Sequence, residues 1–180
     1  MKYLPFENII YKTHLSPDEV RRRLAEKVEP QKFFRMTGFG RNKNDKDYEG
    51  KVDQNGFQIT RIIGYRNSFL PQIEGEIQPG GEGTSVHVKM NLHPLVWVFI
   101  FIWCAGVGSA FVALTVSSVQ RGEFDLFVLI PLGMLVFVYF MTIFAFKFES
   151  AKSKKYLEDL WEAQMEESDG KSKENFITKL

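Results

Sequence analysis

Three histidines, His14, His87 and His93, are the first side chains to test for chemistry in this 180-residue chain. A metal site built on them needs further ligands at fixed spacing, such as i+4 on a helix, and neither HExxH nor a Cys/His cluster occurs. His87 falls on the polar side of an expected strand, and His93 stands at the entry to a long apolar run. Cys104, the single cysteine, excludes an intrachain disulfide and reads as a small apolar side chain inside that run. Neither GxSxG nor C-x-x-C is present. Gly38 to Lys43 combines two glycines with two bases but has no phosphate-binding spacing, so it reads as a strand ending in a polar turn. No catalytic residue, metal or cofactor is expected.

Two segments suit binding better than catalysis. Arg21-Arg22-Arg23 is the densest positive run. Three consecutive helical positions spread over about 200° of arc, so the run cannot face one surface and is mainly solvated. Arg21 and Arg22, with Lys147, Lys152, Lys154 and Lys155, are candidates for contact with anionic lipid headgroups, each worth about 1 kcal/mol near a membrane surface. Nucleic acid is not an expected partner, because residues 1–92 hold 15 basic against 12 acidic groups and no recognised module. In Arg66-Asn67-Ser68-Phe69-Leu70-Pro71, the candidates for ligand binding are Arg66, Asn67 and Phe69. Phe69 and Leu70 could also dip into a bilayer; the competing reading is a turn whose Phe69 fills the core.

The elements that must position these residues follow from charge and periodicity. Net charge is only +1, yet residues 90–120 and 126–146 contain no Asp, Glu, Lys or Arg. At about 1.5 Å per residue, each run reaches across a hydrocarbon core of about 30 Å, so two membrane helices are expected, at about 94–119 and 124–148. An ordinary soluble domain, a disordered chain and a secreted disulfide scaffold are excluded. Lys and Arg number 15 before the first run and 7 after the second, against Arg121 alone between them, which places both termini in the cytoplasm. Gly106 and Ala110 are small residues four apart and should pack against the second helix or, failing that, against another subunit. Pro131 and Gly133 are possible kink points.

Residues 1–92 read as a cytoplasmic α+β domain. Ser16-Pro17-Asp18-Glu19 starts a helix with a capping box, and Val20, Leu24 and Val28 form its apolar face. From Lys32 the period is two, which predicts an antiparallel β-sheet of five or six strands with packed helices, turning at Asp53-Gln54-Asn55-Gly56 and at Pro79 to Gly83. Phe69 to Ile77 reads as one of these strands. Beyond the hairpin of residues 93–148, residues 149–168 should form an amphipathic helix docking on the sheet through Tyr156, Leu157, Leu160 and Trp161, the alternative being that this stripe lies on the lipid surface, against which its acidic opposite face argues. Residues 169–180 read as a flexible tail.

This order of strand, capped helix, antiparallel strands and final helix is similar to the helix-grip arrangement of START and Bet v 1-like lipid-binding domains, apart from the inserted hairpin. YEGKVDQNGFQITRIIGYRNSFLP, followed by VKMNLHP and two apolar runs, resembles a group of uncharacterised bacterial two-pass membrane proteins. That resemblance implies the inner membrane and no particular reaction. The expected function is a non-enzymatic binding or accessory module held at the bilayer, with the lipid bilayer, a protein subunit or a second copy as partner. The alternative is a carrier of hydrophobic ligands or a lipid-modifying enzyme with a cavity between sheet and helix. Phe33, Phe34, Phe39, Phe57 and Phe69 are the bulk available to fill that cavity.

Overall fold

Ser16 starts the first helix as its residue type predicts: its Oγ accepts from the Glu19 N–H at 3.3 Å, and Pro17 takes the first helical position. Only half of the capping box forms, because the Glu19 carboxylate is engaged by Arg22 and Arg23. The computed structural model describes residues 4–30, 46–65, 67–81, 83–122 and 126–167. Gly38 to Lys43, Phe33, Phe34, Phe39, Arg66 and the tail expected at 169–180 lie outside them.

The protein is α+β. Strands β1 (Phe6–Thr13), β2 (Val28–Pro30), β3 (Tyr48–Val52), β4 (Gly56–Arg61), β5 (Pro71–Gly80), β6 (Gly83–Leu92) and β7 (Gln164–Glu167) form one sheet in the order β2-β3-β4-β5-β6-β1-β7. The helices are α1 (Pro17–Lys27), α2 (Pro94–Arg121) and α3 (Leu129–Trp161), with a 3-10 turn at Leu126–Val128 before α3. The sheet is mixed, which corrects the antiparallel expectation: β2 pairs with β3 in parallel, and every other neighbour is antiparallel. β2 arises because the chain extends straight out of α1 at Val28, so the turn-by-turn logic of hairpins does not govern it.

Two further boundaries differ from expectation. The final helix ends at Trp161, where Glu162 turns left-handed (φ 49°), and 164–167 joins the sheet as an edge strand against β1 instead of continuing as helix to residue 168. β5 begins at Pro71, so Phe69 belongs to the preceding connection. Pro131 lies in the first turn of α3, where its missing N–H has no intrahelical partner to lose.

One face of the sheet carries the core. Ile9 and Tyr11 of β1, Val86, Val88 and Met90 of β6, Ile73 of β5 and Ile59 of β4 are buried against Val20 and Leu24 of α1 and Phe146, Leu157 and Trp161 of α3. The other face is polar: Lys89 stands opposite Glu74, and His87 opposite Glu76. Gly75 makes a particular packing possible. A Cβ there would lie 2.2 Å from the Phe57 ring, which leans over Gly75 and meets Trp161 at 5.8 Å between centroids. Gly75→Val should therefore lower stability by about 1–3 kcal/mol through overpacking. In a urea titration that measures this loss, Gly64→Ala, with nothing within 4 Å of its Cβ, should leave the unfolding midpoint unchanged.

Candidate functional site

Charge returns at Lys147, after the uncharged residues 126–146, while α3 continues unbroken across the inner face of the sheet to Trp161. Two carboxylates are buried at this crossing. Glu7, from β1, accepts from Lys147 Nζ at 2.6 Å and from Lys154 Nζ at 3.3 Å. The two lysines are seven residues apart, two helical turns, and so reach the same strand residue from one face. Glu149, fully buried, accepts from Arg61 Nη1 at 2.9 Å, from Lys152 Nζ at 2.9 Å and from the Tyr65 hydroxyl. Arg61 ends β4, and Tyr65 lies in the connection to β5.

Each buried carboxylate therefore meets two cations. For Glu7, burial opposes the charged form, and the hydrogen bonds and charges of Lys147 and Lys154 outweigh it, holding the carboxyl below its usual range. For Glu149, burial again opposes ionisation and is outweighed by the hydrogen bonds from Tyr65 and Lys152 and the charges of Lys152 and Arg61. Both stay ionised at neutral pH, and each cluster keeps one positive charge in excess.

The expected headgroup cations thus separate into two places. Lys147, Lys152 and Lys154 are at the crossing, engaged with Glu7 and Glu149, and Lys155 is exposed one position beyond. Arg21 pairs with Asp18 and Arg22 with Glu19 and Glu26, all on α1. Hydrogen bonds from Arg22 and Arg23 hold Glu19 down to about 2. Arg23 also bonds Glu162 at 2.7 Å, which puts α1 near the far end of α3. Glu162 is sixteen residues past Phe146, about 24 Å along a helix axis.

Of the ligand-binding candidates, Asn67 supports its own turn, its Oδ1 accepting from the Phe69 N–H at 3.0 Å. Phe69 packs on the core and also forms one end of an apolar groove of about 630 Å³ between α2 and α3, lined by Phe99, Trp103, Gly133, Met134 and Met141. A second recess of about 430 Å³, at the far end of the sheet, has a mixed lining and includes Lys12, His14 and Glu162. Among the described residues no group of three His, Cys, Asp or Glu side chains is placed to hold a metal. Gly106 and Ala110 do not pack on α3: both are exposed, and a Cβ on Gly106 would meet nothing within 4 Å. That overturns the intrachain packing expected of them.

Both long helices are apolar enough to cross a membrane, and their side chains are turned outward: Phe101 is 76% exposed and Phe144 73%. Continuous apolar surface on this scale is foreign to a monomer in water. Glu7, Arg61, Tyr65 and Glu149 were not legible as a site from their spacing. The one available signal was Glu149 itself, an acid set among Lys147 and Lys152 directly after an uncharged run. No known protein family, curated protein or solved structure matches the chain.

Proposed function

We propose that the chain is a two-pass inner-membrane protein whose helical hairpin holds an α+β module at the cytoplasmic face, where the module binds or assists a partner without catalysing a reaction. The observation that carries this reading is the continuity of α3. One helix has an outward apolar half, up to Phe146, and a half from Lys147 that is clasped to the sheet through Glu7 and Glu149. The membrane half and the sheet-bound half are thereby parts of one continuous helix.

The outward apolar side chains and the 28-residue length of α2 suit a bilayer, and the Lys/Arg distribution suits cytoplasmic termini. The surplus charge of the Glu7 and Glu149 clusters favours anionic headgroups where α3 leaves the bilayer. The outward Gly106 and Ala110 surface is suited to close approach by a second helix, from another subunit or a second copy. The final helix laid across the sheet fits the helix-grip order. A ligand cavity between sheet and helix has little support, because Tyr11, Tyr48, Phe57, Leu157 and Trp161 fill that space.

Cysteine labelling tests the reading. In a Cys104→Ser background, Gln120→Cys should react with a membrane-impermeant maleimide on intact cells, and Lys51→Cys only after permeabilisation. The reverse pattern, or release of the protein from membranes by alkaline carbonate, would overturn it.

A further inference from the structure

The apolar groove and the Glu149 cluster occupy one continuous face of α3. Lys152 is eleven residues beyond Met141, which at 100° per residue returns to within about 20° of the same direction, roughly 16 Å further along the axis. Phe148 stands between them on that face. Helical side chains lean toward the N-terminus, so Lys152 reaches back toward the groove. Its Nζ lies 3.9 Å from the Phe148 ring centroid and 5.9 Å from that of Tyr65. Tyr65 and Phe69 share the β4–β5 connection, and Phe69 forms the sheet-side end of the groove.

We propose that this face binds one anionic phospholipid, an acyl chain lying in the groove and the phosphate meeting Lys152. The proposal rests on the membrane reading above. Charge complementarity selects the headgroup: Arg61 already balances Glu149, which leaves Lys152 in surplus with its side chain 38% exposed. The groove's volume is within the about 300–1,000 Å³ of small-molecule sites. Gly133, with nothing within 4 Å of its Cβ, opens its middle. A second copy of the chain is the weaker occupant, because the small residues that would let a helix approach, Gly106 and Ala110, do not line the groove.

The test is native mass spectrometry of the full chain released from nanodiscs of equal phosphatidylglycerol and phosphatidylcholine. One retained phosphatidylglycerol per chain is expected. Gly133→Leu, which raises helix propensity while filling the groove, should lose the retained lipid with its circular dichroism unchanged. Lys152→Gln should reduce the preference for phosphatidylglycerol over phosphatidylcholine by about fivefold, the equivalent of one lysine–headgroup contact. Equal retention of the two lipids, retention that survives Gly133→Leu, or a lipid-free dimer abolished by Gly133→Leu would overturn the proposal. The carbonate wash separates the two failures: a protein that stays in the membrane but retains no phosphatidylglycerol defeats the lipid site alone.

Discussion

Trp161→Ala is expected to cost about 3–5 kcal/mol. Trp161 is the last residue of α3 and fully buried, with Tyr11 edge-on at 5.5 Å and Phe57 at 5.8 Å. Truncation leaves a cavity under the sheet that β1 and β4 cannot close without breaking their ladders. The carbonyl of residue 161 still accepts the Thr13 hydroxyl at 2.6 Å, so the loss is one of packing. Trp161→Phe should be far milder, within about 1.5 kcal/mol, because it keeps most of the ring contact. It also removes an indole N–H that has no hydrogen-bond partner among the described residues. Urea titrations in detergent, followed by circular dichroism, measure the difference. Hydrogen exchange should show β7 opening first in Trp161→Ala, because Ala163 and 164–167 follow directly from the lost anchor. Equal stability of the alanine and phenylalanine variants would mean that the helix end is not what fastens α3 to the sheet.

Local signals read correctly where local physics decides. The Ser16 cap and Pro17 placed the start of α1, and the alternation of Val86, Val88, Met90 and Leu92 placed one face of β6 in the core. The stripe of Leu157 and Trp161 identified the buried side of the end of α3. Failures came where a distant partner decides. Gln164–Glu167 follows an amphipathic helix and has helix-compatible residues, but β1 offers an open edge and 164–167 takes it. Three-residue β2 has no periodicity to detect, and its parallel partner comes eighteen or more residues later. The lysines next to the apolar run keep their standing as headgroup candidates and have a second role the sequence did not announce, in bonds that fasten α3 to the sheet. Nothing near them in sequence indicates that Glu7, 140 residues before Lys147, is buried against two of them. Phe69 was weighed between core and bilayer, and it touches the core and the groove together.

Glu149→Ala is expected to cost about 2–3 kcal/mol, below the 3–5 kcal/mol typical when one partner of a buried ion pair is removed. The reduction follows from the cations left behind: the Arg61 and Lys152 side chains are 28% and 38% exposed and regain some hydration. Losing Lys152 alone costs less. Lys152→Gln leaves Arg61 and Tyr65 on the carboxylate and should be milder than Glu149→Ala, because an exposed lysine gives up little when its partner keeps other donors. Acid provides an independent reading of the same contacts. Glu7 and Glu149 are held below the ordinary carboxylate value of 4.5, so the stability they contribute is complete above about that pH and is lost as pH falls through their lower folded values. The protonated acids cannot pair, and Lys147, Lys154, Arg61 and Lys152 are then left facing neutral groups. Wild-type protein should therefore weaken progressively below pH 4.5, with amide protection lost from 147–161 of α3 while the purely apolar part keeps its own. In Glu149→Ala the acid dependence should be shallower, leaving the share of Glu7 and that of Glu19 on α1. An acid profile identical to wild type would show that Glu149 carries no charge-dependent hold on the sheet, and the coupling of hairpin to module would then rest on the Glu7 pairs with Lys147 and Lys154 and on the packing of Trp161 and its neighbours.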